Sequence, residues 1–375
     1  MKNYLYRFFI IIIKLISPIK RKKILLFSYY GNQYGCSPKY MSEYLANNTD
    51  YDLVWAFTQP QKYSLAGVRN VRYYSLQFFY ELCTAHVIIT NYRMIELFQK
   101  RKGQVYIQTW HSSLRLKMIE KDAEDKLPAH YVKMAKKDSQ YIDCLISGCS
   151  FSTQIFRSSF WYSGFILECG TPRNDLFFTP VTHISDKIKN KYAIPAGHKL
   201  LLYAPTFRQG GQIDCYNLNY TRLKSVLSQR WGGDWTILVR FHPHLRPIAQ
   251  QLIGNESVVD VTSYDDIQEL LAASDVLISD YSSLVFDYIL TRRPCFLYVP
   301  DLNLYMQKER GLYFKPEDLP FEKALSNEEL FTSISNFSEE AYSRRVKIFQ
   351  ESIGSYEKGT ACQQIERYIR EQMNK

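Results

Sequence analysis

Short apolar runs punctuate the chain, and polar clusters follow several of them. In the first half the runs are Ile24 to Tyr29, Asp52 to Phe57, Val87 to Thr90, Val105 to Thr109, Cys144 to Ser147 and Phe165 to Cys169. In the second half they are Leu200 to Tyr203, Thr236 to Arg240, Val258 to Val261, Val276 to Ile278 and Cys295 to Tyr298. Helical patterns lie between them, including Ser37 to Asn47, the segment from Ser152, and Ile184 to Tyr192. Strands alternating with helices in both halves predict two doubly wound α/β domains. Pro195-Ala196-Gly197-His198 marks the break. The predicted domains are therefore 24–194 and 195–358, with a helix in 359–375 as a candidate to cross back to the first. The cleft between two such domains is the default ligand site. The clearest unit is Asp275 to Asp301, which reads strand, polar turn, helix, strand. Ligands of parallel sheets sit beyond the carboxyl ends of the strands, so this turn is a candidate anion site, with Ser282 or Ser283 as helix cap.

Residues 1–23 follow a different pattern. The run Phe8 to Ile16, interrupted by Lys14, is shorter than the roughly 20 residues a membrane span needs. No small-residue cleavage site follows it. Seven basic residues flank or interrupt it, and no acid appears before Glu43. This predicts an anchor lying on an anionic bilayer, with apolar side chains in the headgroup boundary and Lys and Arg against the lipid charge. The competing expectation is a first helix packed on the protein's own core. Phe8 to Ile13 is apolar all round rather than on one stripe, which favours the anchor.

Composition narrows the rest. A chain of 375 residues has room for two or three domains with separate cores. Hydrophobic residues at 46% against 22% charged exclude a disordered chain. The formal net charge of +10 suits nucleic acid, an anionic membrane or phosphate-bearing substrates. The 30 tyrosines have no explanation in the sequence beyond amphipathic surfaces and interfaces. Eight cysteines form no CxxC pair, and most lie in apolar runs, which predicts buried, reduced thiols and no structural zinc. No Walker loop is present and no GxGxxG follows a strand, which disfavours nucleotide hydrolysis and NAD binding. No acidic pair at a strand end has obvious metal spacing, so the expected reaction needs neither metal nor other cofactor.

Five polar clusters carry the chemistry. They are Gln108 to Ser113, with Lys117 further on; Gly170 to Asp175; Tyr203 to Arg208; Arg240 to His244; and Ser279 to Ser283, with Asp301, Tyr305, Arg310 and Gly311 beyond it. Arg240 and His242 share one strand face by period two, and Pro243 ends that strand. Arg208, His242 and a helix N-terminus in one domain suit a pyrophosphate, which needs charge-assisted donors. His111 lies in the other domain. A His there is suited to take a proton from an attacking hydroxyl, although a structural partnership with Trp110 fits the residues equally well.

Taken in order, these clusters resemble the CDP-glycerol glycerophosphotransferase family, the teichoic-acid polymerases and primases, with similar sequences in bacterial capsule loci. The likeness runs from about Ile24 to Phe314. Trp110-His111 resembles the family's tryptophan-histidine-glycine motif, and Gly170, Pro172, Arg173 and Asp175 its glycine-x-proline-arginine-x-aspartate. Tyr203 to Arg208, Arg240 with His242 and Pro243, and Asp280 to Ser283 are similar to three further motifs. Ser112, Ser113 and Leu114 depart from the usual glycine, threonine and proline, and Ser279 stands where the family often has threonine.

The resemblance implies a GT-B-like fold of two Rossmann-type domains facing a cleft. It implies transfer of a polyol phosphate from CDP-glycerol or CDP-ribitol, with CMP leaving. His111 would be the base and His242 a second catalytic residue. Donor contacts would come from Thr206, Arg208, Arg240, Ser279, Asp280, Ser282, Ser283, Asp301 and Arg310. Ser112, Ser113, Lys117 and Arg173 would lie on the acceptor side. The implied acceptor is an undecaprenyl-linked saccharide or polymer at the cytoplasmic face of a bacterial membrane, with no nucleic-acid partner. The alternatives are a GT-B glycosyltransferase using a nucleotide sugar and, as a different class, a catalytically idle membrane scaffold.

Overall fold

The computed structural model describes residues 2–208, 213–253, 258–308 and 311–375. They form two compact units. One comprises residues 1–113, 119–178 and 355–375, and the other residues 114–118 and 179–354. The sequence places the break at Pro195, whereas Thr182–Lys191 belongs to the second unit, where Lys187 Nζ meets the Glu269 carboxylate at 2.7 and 2.9 Å.

The N-terminal unit is built on strands β1 (Lys20–Phe27), β2 (Asp52–Phe57), β3 (Val68–Arg72), β4 (Ala85–Thr90), β5 (Val105–Gln108), β6 (Cys144–Ser147) and β7 (Phe165–Glu168). All pair in parallel, in the order β3-β2-β1-β4-β5-β6-β7. Alternate residues feed two cores, one on each face of the sheet. Leu25, Phe27, Val54 and Ala56 enter one, while Ile24, Leu26, Leu53 and Trp55 enter the other. Burial on both faces is why these strands read as unbroken apolar runs. Helix α1 (Lys2–Ile16) and helix α3 (Leu76–Thr84) contribute to the first core, and helix α2 (Cys36–Asn48) with the helix Ala361–Met373 to the second.

α1 packs one face on the protein's own core, as the competing expectation has it, and leaves the other face exposed. Ile10 and Ile13 are buried, and Tyr6 meets Tyr74 edge-on and Phe79 at centroid distances of 5.4 and 4.7 Å. Arg101 donates to the carbonyls of Lys14 and Ser17, satisfying the helix's last turn and opposing its dipole. Tyr4, Leu5, Phe8, Ile11, Leu15 and Ile16 are exposed, with Leu15 at 80%. Sheet structure also starts before Ile24. Lys23 is buried and paired with Glu81 at 2.5 Å, so residues 20–23 belong to the domain and not to a separate segment. No helix among the described residues is long and apolar enough to cross a membrane.

The C-terminal unit has β8 (Lys199–Ala204), β9 (Trp235–Val239), β10 (Val259–Asp260), β11 (Val276–Ser279), β12 (Cys295–Tyr298) and β13 (Glu322–Ala324). These too are parallel, in the order β10-β9-β8-β11-β12-β13. The strand order reverses between β1 and β4 in one sheet and between β8 and β11 in the other. Such switch points open a crevice at the carboxyl edge, the usual ligand position in this architecture. All eight cysteines are buried, as their apolar settings predict.

Candidate active site

In the N-terminal unit the polar groups gather at the carboxyl edge near the switch point. His111 follows β5 by a short step, and its ring is half-buried. Its Nδ1 lies 3.2 Å from the carbonyl oxygen of Asn91, just past β4. A carbonyl only accepts, so Nδ1 carries the proton in this contact and Nε2 holds the lone pair of the neutral ring. Tyr92 stacks on the imidazole at 5.0 Å, and Trp110 flanks it at 4.3 Å. Tyr29 and Tyr30 meet Tyr92 edge-on, each at 5.2 Å. Burial, and next Tyr92, push the Tyr30 hydroxyl up to about 12, so it stays protonated near neutrality.

The backbone around this cluster is strained. Tyr29, Tyr30, Cys36 and Trp110 all have positive φ, between 49 and 59°. Non-glycine residues hold that conformation only when the surroundings impose it, and such strain concentrates at functional sites. Each strained residue connects to His111 within a step or two. Tyr29 N–H donates to Asn91 Oδ1 at 3.0 Å. Arg173 Nη1 donates to the His111 carbonyl at 2.7 Å and sits 3.7 Å from Cys36 Sγ.

The other acceptor-side residues are distributed less simply. Arg173 is buried at 4% exposure and braces the His111 backbone. Ser112 and Ser113 are also buried, and the Ser113 carbonyl accepts from Ser152 Oγ at 2.6 Å. Lys117 groups with the C-terminal unit, where its Nζ lies 5.4 Å from the Tyr305 ring. Asp175 accepts from the N–H groups of Ala361 and Cys362 and so caps the last helix. Burial is the chief cause raising its carboxyl above the usual range. Gly170 has φ +85°, and a Cβ there would come within 2.8 Å of Glu357 Oε2. Glu357 in turn accepts from Thr171 and Asn174.

In the C-terminal unit the switch point brings the residues after β8 and β11 together. Arg208 is buried, and its donors meet protein acceptors. Nε and Nη2 reach the Asp301 carboxylate at 2.6 and 3.2 Å, Nη2 is 2.9 Å from Asp280 Oδ2, and Nη1 donates to the Thr206 carbonyl and hydroxyl. Burial alone would lower its pKa, but Asp280 and Asp301 outweigh it and raise the guanidinium above its usual value. Tyr281 and Tyr305 stack at 3.5 Å, with Arg208 5.0 and 5.1 Å from their rings. The resemblance implies donor contacts at Arg208, Asp280 and Asp301; the structure joins the three to one another, with Asp280 also accepting from Thr206 N–H. Ser279 Oγ donates to the Ala204 carbonyl and is fully buried. Ser282 Oγ accepts from Leu284 N–H at 3.4 Å, and Ser283 Oγ from Leu116 N–H at 3.2 Å. The helix they precede, Leu284–Tyr288, is only five residues long.

β9 ends at Val239, so Arg240 and His242 lie in the loop beyond it. Their alternation persists there. Phe241 is buried, Arg240 is half-buried and donates to the Tyr264 carbonyl, and His242 is exposed beside Phe207, with ring centroids 5.6 Å apart. Arg310 lies outside the described residues. Among the described residues no group of three His, Cys, Asp or Glu is placed to hold a metal ion.

Two parallel α/β sheets, each with a polar switch point, define a GT-B-like fold. A structure of the wall teichoic acid polymerase TagF, soaked with CDPG, matches with a TM-score of 0.86 at 30% identity, covering 98% of this chain and 94% of that one. A teichoic acid poly(glycerol phosphate) polymerase of Bacillus spizizenii is 29% identical over 97% of this chain and 96% of its own length. A teichoic acid glycerol-phosphate transferase of Staphylococcus aureus is 32% identical, covering 94% of each. Residues 9–371 match the family described as CDP-Glycerol:Poly(glycerophosphate) glycerophosphotransferase, and the chain belongs to it. It is an enzyme of polyol-phosphate transfer.

Proposed function

We propose that the enzyme moves glycerol phosphate from CDP-glycerol to a hydroxyl of a lipid-linked saccharide or polymer, releasing CMP. The acceptor oxygen attacks the phosphorus next to the glycerol. The bond from that phosphorus to the CMP oxygen breaks, and His111 Nε2 takes the hydroxyl proton. His242 and Arg240 serve the donor phosphates, and the Thr206–Arg208–Asp280–Asp301 lattice holds the edge that presents them. The observation that carries the reading is the fixed His111: its Nδ1 faces the Asn91 carbonyl, and two rings flank it. The family's own description and the CDPG soak of a TagF structure support the donor.

No metal or other cofactor enters this reading. Asp280 and Asp301, the carboxylates nearest the turn, are both engaged by Arg208. We further place the enzyme on the cytoplasmic face of the cell membrane, with the exposed stripe of α1 in the headgroup boundary and the exposed Arg7, Lys20 and Arg21 against anionic lipid.

The test is CMP release from CDP-glycerol, CDP-ribitol and a nucleotide sugar in parallel, with and without EDTA. The reading expects release from CDP-glycerol that depends on acceptor and survives EDTA. Activity on the nucleotide sugar alone would replace it with the glycosyltransferase alternative. Loss on chelation, restored by a divalent ion, would overturn the metal-free part.

A further inference from the structure

Gln108 is the last residue of β5 and is fully buried. Its amide reaches both aromatic residues that flank His111. Oε1 accepts the Trp110 backbone N–H at 2.9 Å, and Nε2 donates to the Tyr92 carbonyl at 2.9 Å. Nε2 also donates to the Tyr106 hydroxyl at 2.8 Å. Tyr106 is tied in turn to Asp138, which pairs with the buried Arg93. Arg93 lies 3.8 Å from the Phe160 ring and 5.8 Å from the Trp110 ring. One buried amide therefore pins the backbones of the residues on both sides of the imidazole, and a rigid buried network fixes the amide.

The arrangement has a chemical consequence. Trp110 sits at φ 52°, a conformation a tryptophan leaves unless something holds it. Turning Trp110 toward an ordinary φ would swing His111, the next residue, off the Asn91 carbonyl. The proton would then no longer be confined to Nδ1, and Nε2 would cease to be the lone-pair nitrogen throughout. Tyr92 is the other wall of the ring, and it follows Asn91 directly. We propose that Gln108 is a positioning residue for His111, holding Trp110 and Tyr92 so that the imidazole keeps its Nδ1–H tautomer and its aim. This rests on the reading of His111 as the base. Gln108 itself is fully buried, and its amide is taken up by protein groups. It acts by restricting the ring's orientation, a restriction worth orders of magnitude when a reacting group must be placed within about 1 Å.

The test uses the full-length protein labelled with ¹⁵N-histidine, with the His111 signals assigned by difference from His111→Gln. In the unaltered protein the proposal expects one tautomer, protonated at Nδ1. A mixture of tautomers there would overturn it without any further variant. Gln108→Leu puts an apolar side chain of similar size in place of the amide and removes every amide contact. It is expected to give mixed tautomers and a kcat for CMP release lower by about 10- to 100-fold, with donor KM changed by less than about threefold. Gln108→Glu keeps the acceptor for Trp110 and loses the amide donors, so its kcat should fall between the two. If Gln108→Leu does not fold, Gln108→Glu decides, and wild-type kcat with a single tautomer in that variant would overturn the proposal. The NMR readout also separates this inference from the base reading. Near-normal turnover in His111→Ala removes the base, whereas an unchanged tautomer in Gln108→Leu removes only the positioning.

Discussion

The two switch points solve opposite problems with the same aromatic residue. At the N-terminal one, tyrosines and a tryptophan surround an imidazole that meets the Asn91 carbonyl at 3.2 Å and remains half-exposed. At the C-terminal one, the stacked pair Tyr281 and Tyr305 surrounds a guanidinium whose charge is met by two carboxylates. A half-buried imidazole is suited to gain and lose a proton. A buried cation between Asp280 and Asp301 is suited to hold a loop in one shape. The tyrosine content, which composition leaves unexplained, takes on a role in both places. Burial, and next Asp301 and Asp280, raise the Tyr281 hydroxyl, so it remains a donor to Asp301 at 3.2 Å.

The largest effect that would break this comparison is the loss of Arg208. Arg208→Met leaves Asp280, at 2% exposure, and Asp301 without their cation, so unfolding free energy should fall by about 3–5 kcal/mol. Denaturant titration measures it. A loss below about 1 kcal/mol would show that Arg208 is free to serve phosphate instead. His242→Ala should spare stability, because the ring is exposed, and should weaken CDP-glycerol binding by the value of one charge-assisted contact, about 1.5–3 kcal/mol. Calorimetric titration that found parent affinity would remove His242 from the donor site. The smallest effect concerns α1. Phe8→Ser with Ile11→Ser alters only its exposed face, at 64% and 56% exposure, so stability should stay within about 0.5 kcal/mol. Binding to anionic vesicles should drop, and high salt should weaken it in the parent, since the Debye length shrinks to about 3 Å at 1 M. Equal co-sedimentation of both proteins would refute the membrane face.

Deleting residues 1–23 would not make the same test. It would remove Ile10 and Ile13 from the core and strand Glu81 without Lys23. The sequence leaves these contacts invisible, because the helix is apolar on nearly every side and only tertiary packing decides which stripe is covered. Strands β2, β6 and β12 are read from the sequence at their observed limits, since burial on both faces makes them plainly apolar. Two of the four edge strands escape, whereas β7 and β10 are read as Phe165 to Cys169 and Val258 to Val261. β3, Val-Arg-Asn-Val-Arg, buries only Val71, and β13 is three residues with one buried. The polar clusters are legible as clusters, and so is His111. What surrounds it is not: Tyr92 and Asn91 come from the end of β4, some twenty residues earlier. Gln108 carries no chemical signature of its own; its position as the last residue of a strand ending in a polar cluster is the signal that could have singled it out. Arg208 is legible as a cation but not as a paired one, since Asp301 lies 93 residues away.

The most direct test of the account is acceptor-dependent CMP release from CDP-glycerol by the parent enzyme and by His111→Ala, side by side. The account predicts turnover in the parent and a loss of about 100-fold or more in the variant, with donor affinity nearly unchanged. A variant that releases CMP at close to the parent rate would contradict it, and so would a parent that releases none.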